Sequence, residues 1–335
     1  MDKNGCTIFP ESSGMDFEKL SENRVPLSGI KMDRKMSVET TAFVILHYGS
    51  QDVTDQCVRS VLRMDHQESV KIIIVDNEIQ KPEADRAKLK ATYQGIPNIT
   101  VLMIHENGGF SYANNQGYRY AREQLGAAFI LVLNNDIEFT QKDFLQQMVQ
   151  SWKKDPCHII GIDIIRKSTG EHQNPMDTRL RTREEAEHTI RMNRRALKHY
   201  QLLYPLLYWN FCRLQKAATA KRRDDAAYAS AQKDIVPFGA CLIFTPDFVK
   251  SEQLAFTPET HFYYEEYILA NRCRQKGYHI HYVPTMKVWH ESGKATEVSC
   301  RKEKEKLRFV MERTAEACEV YLKYIERETK ERIKK

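Results

Sequence analysis

Ala42-Phe43-Val44-Ile45-Leu46 and Val70-Lys71-Ile72-Ile73-Ile74-Val75 are short apolar runs that lead into the polar residues His47 and Asp76. Ile99-Thr100-Val101-Leu102-Met103 and Ala128-Phe129-Ile130-Leu131-Val132-Leu133 repeat the pattern, the last opening onto Asn134-Asn135-Asp136. Between them lie stretches of helical period, from about Asp52 to Met64, near 82–94, and from Tyr112 to Leu125. A strand that is apolar at nearly every position is covered on both faces, which is the condition of a parallel sheet crossed by helices. The fold class is therefore α/β, a doubly wound nucleotide-binding architecture.

Outward from this block, the first helix carries Val53, Cys57, Val61 and Leu62 on one stripe, with Asp52 or Thr54 available to cap it. The third carries Ala113, Gly117, Tyr120 and Ala121, which read as core. Residues 1–38 are polar and aperiodic and read as a flexible leader. The catalytic-type domain spans 39–296, interrupted at 177–233 by a basic helical insertion with an apolar aromatic centre around Leu202-Leu203-Tyr204-Pro205-Leu206-Leu207-Tyr208-Trp209. Ile235 to Phe244 reads as a second portion of sheet, and 297–335 as a long C-terminal helix.

Charge is localised: 177–233 holds thirteen Lys/Arg against six Asp/Glu, in a chain whose net charge is +6. One basic face implies an anionic partner, whereas no nucleic-acid module accompanies it, so nucleic acid is not expected. The eight cysteines form no C-x-x-C pair and read as reduced, mostly buried thiols. No signal-peptide pattern and no run of roughly 18 apolar residues is present, which predicts a cytoplasmic protein, soluble or peripheral at the inner face of the membrane.

Ligands of doubly wound sheets bind beyond the carboxyl ends of the strands, so the polar residues there are the first candidates. Asp76 could accept a hydrogen bond from a base or ribose, although Asp-Asn is also ordinary turn chemistry. Gly108-Gly109-Phe110-Ser111-Tyr112-Ala113-Asn114-Asn115 opens a helix, and its backbone N–H groups could approach a phosphate, a tight turn being the plain alternative. Asp136 suits a hard divalent cation whose remaining ligands come from a diphosphate, or simply caps a strand. Of the neighbours Glu265 and Glu266, about 100° apart on a helix, only one can face a pocket, where flanking aromatics would raise its pKa as a general base requires.

In order and spacing these motifs resemble the family 2 inverting glycosyltransferases of GT-A fold, in particular their rhamnosyltransferase-like bacterial branch. The likeness runs over about 41–295: Val44 to Ser50, Asp76-Asn77, Gly108-Gly109-Phe110 with Asn114 to Gly117, Asn134-Asn135-Asp136, Phe238-Gly239-Ala240, Tyr264-Glu265-Glu266 with Arg272 and Gly277, Tyr282-Val283-Pro284, and Trp289-His290. The resemblance implies a mixed, mainly parallel GT-A sheet with flanking helices. It implies that Asp76 contacts the base, with His47, Gly109, Asn114 and Asn135 as further nucleotide-binding candidates. Asp136 would hold Mg2+ or Mn2+ with His290 near it, and Glu266 would be the general base, standing where the family usually has Asp. Arg272 is left outside the site.

The activity so implied is metal-dependent, inverting transfer of a sugar from a nucleotide-diphosphate donor to a glycan or lipid-linked acceptor in cell-surface polysaccharide synthesis. A degenerate sugar-nucleotide-binding or scaffolding relative is the alternative. A nucleotidyltransferase would want a basic glycine-rich loop where His47-Tyr48-Gly49-Ser50-Gln51 stands, and a dehydrogenase would want the G-x-G-x-x-G fingerprint. The aromatic segment at 198–216 is read as packing on the catalytic domain, with a membrane surface or a homodimer contact as alternatives.

Overall fold

Strand β1 (Thr41–His47) is buried at all seven positions. Ala42, Val44 and Leu46 lie in one core layer with Ile73, Val75, Ile130 and Val132. Phe43 and Ile45 lie in the opposite layer with Ile72, Ile74, Phe129, Leu131 and Leu133. Two buried faces explain the unbroken apolar runs, and each fully buried aliphatic side chain contributes about 1.5–3 kcal/mol.

The computed structural model describes residues 40–106, 108–260, 262–291 and 303–333, with side chains to 326. The expected leader, Asn107 and positions 297–302 and 334–335 of the expected terminal helix lie outside these residues. The described part belongs to one unit, Val38–Lys335. In it, β2 (Val70–Asp76), β3 (Ile99–Met103), β4 (Phe129–Asn134), β5 (Ile137–Phe139), β6 (Ile159–Arg166), β7 (Gln232–Lys233), β8 (Cys241–Phe244) and β9 (Ile280–His290) join β1 in one sheet. The order is β3-β2-β1-β4-β8-β6-β9-β5, with β7 also paired to β9. β1 to β4 are mutually parallel, β6 and β9 share their direction, and β8, β5 and β7 oppose it. This is the mixed, mainly parallel α/β sheet with flanking helices of a GT-A fold.

Helices α1 (Gln51–Val61), α2 (Glu83–Thr92) and α4 (Phe144–Lys154) cover one face through Cys57, Val58, Leu89, Phe144 and Met148. Helices α3 (Gly109–Glu123), α8 (Pro246–Ser251) and α9 (Glu265–Lys276) cover the other through Ala113, Tyr118, Phe248 and Ile268. α3 sits close on the sheet because residue 117 is glycine: a Cβ there would come within 2.3 Å of Val44 Cγ1 and 2.7 Å of Val75 Cγ2. Tyr118, not the half-buried Tyr120, is the ring fully sunk in the core.

Three local expectations are corrected. Ser50 occupies the N-cap of α1 and makes no side-chain cap bond. Thr54 is fully buried and spends its hydroxyl elsewhere, so neither it nor Asp52 is the cap. α3 starts at Gly109, earlier than Tyr112, Gly109 taking φ +78°. Of the segment Ile235–Phe244, only Cys241–Phe244 is strand; Val236 pairs in an isolated bridge with Asp177, and Pro237 next to it has no N–H to continue a ladder.

The insertion contains α5 (Arg183–Lys198), α6 (Tyr200–Lys221) and the short α7 (Asp225–Tyr228). α5 opens on a capping box, Thr182 with Glu185. The terminal helix α10 (Glu303–Ile333) packs along α5, where Arg183 pairs with Glu326 at 2.9 Å and Tyr321 donates to the Arg181 carbonyl at 2.7 Å. Its buried residues are Leu307, Met311, Ala315, Ala317, Cys318 and Tyr321. Of the described cysteines, Cys57, Cys157, Cys241, Cys273 and Cys318 are free and buried, and Cys212 is half-buried. Among the described residues no helix is long and apolar enough to cross a membrane.

Candidate functional site

From β1 the chain builds outward to β2 and β3 on one side, then returns to place β4 on the other. The carboxyl ends of β1, β2 and β4 therefore flank a topological switch point, where α/β sheets leave a crevice. His47 and Asp76 are register partners at the ends of β1 and β2, and Asn134 ends β4 opposite Leu46.

Thr54 ties these ends together. Its hydroxyl meets His47 Nδ1 at 2.7 Å and accepts from Asn135 Nδ2 at 2.9 Å, while the same amide donates to the Tyr48 carbonyl at 2.9 Å. Burial lowers the His47 pKa, nearby Lys81 adds to that, and Asp76 opposes it, which favours the neutral ring. Asp76 is almost wholly buried. Arg86 Nε donates to its Oδ2 at 2.6 Å and the Glu78 N–H to its Oδ1 at 3.0 Å. Arg86 also donates to the Ile104 carbonyl at 2.6 Å, so it holds Asp76 and the end of β3 together. A cavity of about 220 Å3 opens here, lined by His47, Asp76, Glu78, Lys81, Arg86 and Leu89 among others. That is below the ~300–1,000 Å3 of drug-sized sites, so it suits one ring better than a whole sugar nucleotide. A larger hollow of about 880 Å3 between α2, β3 and α3 is lined by Ile104, Tyr112, Gln116 and Tyr120 among others, and not by His47, Asp76, Asn135, Asp136, Glu266 or His290.

Asp136 follows β4 and stands beside His290, the last residue of β9: Oδ1 to Nε2 is 3.1 Å. β5 pairs antiparallel with β9, setting Ile137 opposite His290, and the Glu291 N–H donates to the Asp136 carbonyl at 3.1 Å. Behind the ring, Gln173 Oε1 lies 2.6 Å from His290 Nδ1. An amide oxygen can only accept, so Nδ1 carries a proton there, and the ring is oriented with Nε2 toward Asp136. Among the described residues no cluster of three or more His, Cys, Asp and Glu side chains is gathered as a metal site. The Asp136–His290 pair nevertheless fits a divalent cation completed by diphosphate oxygens: one carboxylate, and one imidazole oriented from behind.

Glu265 and Glu266 open α9 after two consecutive non-glycine residues in the left-handed region, Tyr263 at φ 67° and Tyr264 at φ 62°. Such residues are held in place by their surroundings. Tyr264 is packed against Tyr267 and Tyr321, with ring centroids 5.0 and 5.6 Å away. Glu266 accepts the Gly239 N–H at Oε1, 3.2 Å away, and burial raises its pKa against the pull of that bond. Glu265 is raised well above its ordinary value by burial and then by the Glu266 charge, and its buried Oε2 has no protein partner.

Gly239 is there for space. A Cβ would lie 2.8 Å from Glu266 Oε1. Gly239→Ala is therefore expected to push the carboxylate aside and lower turnover by about tenfold or more, since sub-ångström misplacement of a reacting group is costly. Nucleotide affinity, measured by calorimetry, should stay unchanged; an equally active Ala variant would mean that the Glu266 position does not matter.

Residues 238–240 bind the whole together. The Phe238 ring lies 6.0 Å from the His290 ring, Gly239 donates to Glu266, and the Ala240 carbonyl accepts the Asn134 N–H at 3.0 Å. His290 and Glu266 thus both border one short segment, with Asp136 linked to it through His290, and His47, Asp76 and Asn135 through β4. Gly109 and Asn114 belong to the first turns of α3. Asn114 donates to the Phe110 carbonyl at 3.0 Å and leaves Oδ1 buried without a protein partner, while Asn115 exchanges two bonds with the Phe256 backbone. Arg272 donates to the Leu254 and Ala255 carbonyls at 3.1 and 2.6 Å, a structural role outside the site.

No curated protein matches the chain. Among solved structures, it is similar to S. aureus TarS 1-349, at 12% identity and TM-score 0.46 over 77% of this chain; it spans 63% of that one. It is also similar to the mannosyltransferase PcManGT from Pyrobaculum calidifontis, in complex with GDP-Man and Mn2+, at 10% identity and TM-score 0.47, covering 83% of this chain and 70% of that one. Residues 42–217 match the family described as "Glycosyl transferase family 2", a span that includes β1, β2 and β4 with His47, Asp76 and Asp136 and ends before Glu266. Because that span is more than half of its length, the chain belongs to glycosyl transferase family 2.

Proposed function

We propose that the protein transfers a sugar from a nucleotide-diphosphate donor to an acceptor hydroxyl with inversion, using Glu266 as general base and Asp136 with His290 as the cation-holding pair. The observation that carries this reading is the segment 238–240, which touches His290, Glu266 and the end of β4 at once. A base on one side and an electrostatic site for the leaving group on the other are the two parts that a single displacement needs.

Glu266 would take the acceptor hydroxyl's proton as its oxygen attacks the anomeric carbon from the side opposite the diphosphate. The Gly239 N–H keeps the carboxylate oriented, and the side chain is buried. Mg2+ or Mn2+ held by Asp136 and His290 would supply positive charge to the departing diphosphate. The cavity beside Asp76 and His47 would take the base, with Asn135 holding that wall in place; Gly109 and Asn114 are assigned to the phosphate or sugar end of the donor. The motif order favours a hexose or a rhamnose-like deoxyhexose, and a glycan or lipid-linked acceptor in cell-surface polysaccharide assembly, on the cytoplasmic side. In domain terms, we assign 39–296 to the transferase, 177–233 to its insertion and 297–335 to its terminal segment, in which Glu303–Ile333 is helix.

Calorimetric titration of UDP, dTDP and GDP, each with and without Mn2+, tests this directly. Metal-dependent binding of one nucleotide is expected and names the donor class. Binding of none would leave a scaffolding relative as the better account.

A further inference from the structure

We infer that the outward face of α6 is a docking surface for an anionic lipid bilayer. The inward face of this helix is already used: Tyr200, with Tyr204, Leu207, Tyr208 and Phe211, packs against Leu307 and Met311 of α10. The outward face is bare. Leu202 is 83% exposed, Leu206 62% and Trp209 60%. At spacings of four, three, four and three residues, Leu202, Leu206, Trp209, Arg213 and Lys216 form one stripe down the helix. Its first half is apolar and its second cationic, and the Arg213 guanidinium lies 5.3 Å from the Trp209 ring centre.

Charge decides the occupant. Tyr200–Lys221 contains no Asp or Glu, and Lys198 and Arg223 continue the positive charge at its two ends, Arg222 being turned onto the carbonyls of Gln173 and Met176. A second copy placed symmetrically on this stripe would bring Arg213 and Lys216 against a helix with no carboxylate to pair them. A bilayer with anionic headgroups satisfies both halves: Leu202, Leu206 and Trp209 enter the boundary between headgroups and chains, and Arg213 and Lys216 meet phosphates. Trp suits that depth because its ring is apolar and its N–H polar. The helix would lie in the surface, not across it. This inference goes beyond the transfer reading and does not depend on it, since vesicle binding needs neither donor nor acceptor.

The test is co-sedimentation of the full chain with vesicles of phosphatidylcholine, or of phosphatidylcholine mixed with phosphatidylglycerol. Wild type is expected to bind the anionic vesicles, to bind neutral ones far more weakly, and to be released by salt. The pair Arg213→Gln and Lys216→Gln should lower partitioning roughly fivefold per charge removed. The triple change of Leu202, Leu206 and Trp209 to Ser should abolish it. Because these side chains are exposed, circular dichroism and melting of the variants should match wild type. The proposal is overturned if wild type ignores anionic vesicles, or if the variants partition as wild type does. It is overturned equally if wild type is a dimer in ultracentrifugation that the triple variant splits, with no vesicle binding; the stripe then belongs to a second copy.

Discussion

Glu266→Gln is expected to lower transfer by about 10²- to 10⁴-fold, the range ascribed to general-base catalysis, while nucleotide affinity stays within about twofold of wild type. Gln keeps the size of the side chain and an oxygen for the Gly239 N–H at 3.2 Å, but cannot accept a proton. The loss should therefore appear in kcat and not in donor binding. Glu265→Gln is the control. Burial and the neighbouring Glu266 charge hold Glu265 well above its ordinary pKa, which favours the neutral acid. A neutral amide of the same shape should then lower turnover by less than about tenfold. If the 265 variant is the inactive one, the base is Glu265.

The pH dependence has a definite sign. Glu266 acts as a base only when ionised, and burial raises its pKa from the ordinary 4.5. The acid limb of kcat/KM should rise with pH through a midpoint above 4.5. In Gly239→Ala, displacement of the carboxylate from its N–H donor should move that midpoint. An acid limb at an unshifted carboxylate value would argue that the base is a solvated group elsewhere.

β1 was readable because it is buried on both faces: Phe43 and Val44 alike had to be apolar, whereas β3 is half-buried at all five positions. The strand-end carboxylates could be singled out by position alone. Their partners could not. Gln173 stands 117 residues from His290, in irregular chain after β6, and no period marks it. Arg86 lies in a helix that reads as merely polar, and only the fold turns its guanidinium onto Asp76. Thr54 looked like a cap because Thr is a common one, yet tertiary contacts with His47 and Asn135 claim its hydroxyl. The insertion shows a related limit. An apolar helix with two apolar faces does not say which is covered; α10 covers the Tyr204 and Leu207 side and leaves Leu202 and Trp209 bare.

Asp136→Ala is expected to remove the metal-dependent part of nucleotide binding, about 10²-fold or more in Kd with Mn2+, because it deletes the carboxylate 3.1 Å from His290 Nε2. Binding without metal should stay as in wild type, since Asp76, His47 and the 220 Å3 cavity belong to a separate wall of the crevice. Gln173→Leu is the graded counterpart. It keeps both members of the pair but frees the His290 ring from the oxygen 2.6 Å behind it, and loss of such a support commonly weakens metal affinity by about 10–100-fold. Calorimetry at several Mn2+ concentrations separates the two, for the Leu variant should recover at high metal and the Ala variant should not. If Asp136→Ala binds nucleotide with undiminished Mn2+ dependence, the cation sits elsewhere, and the Asp136–His290 contact is only a bond that closes β5 onto β9.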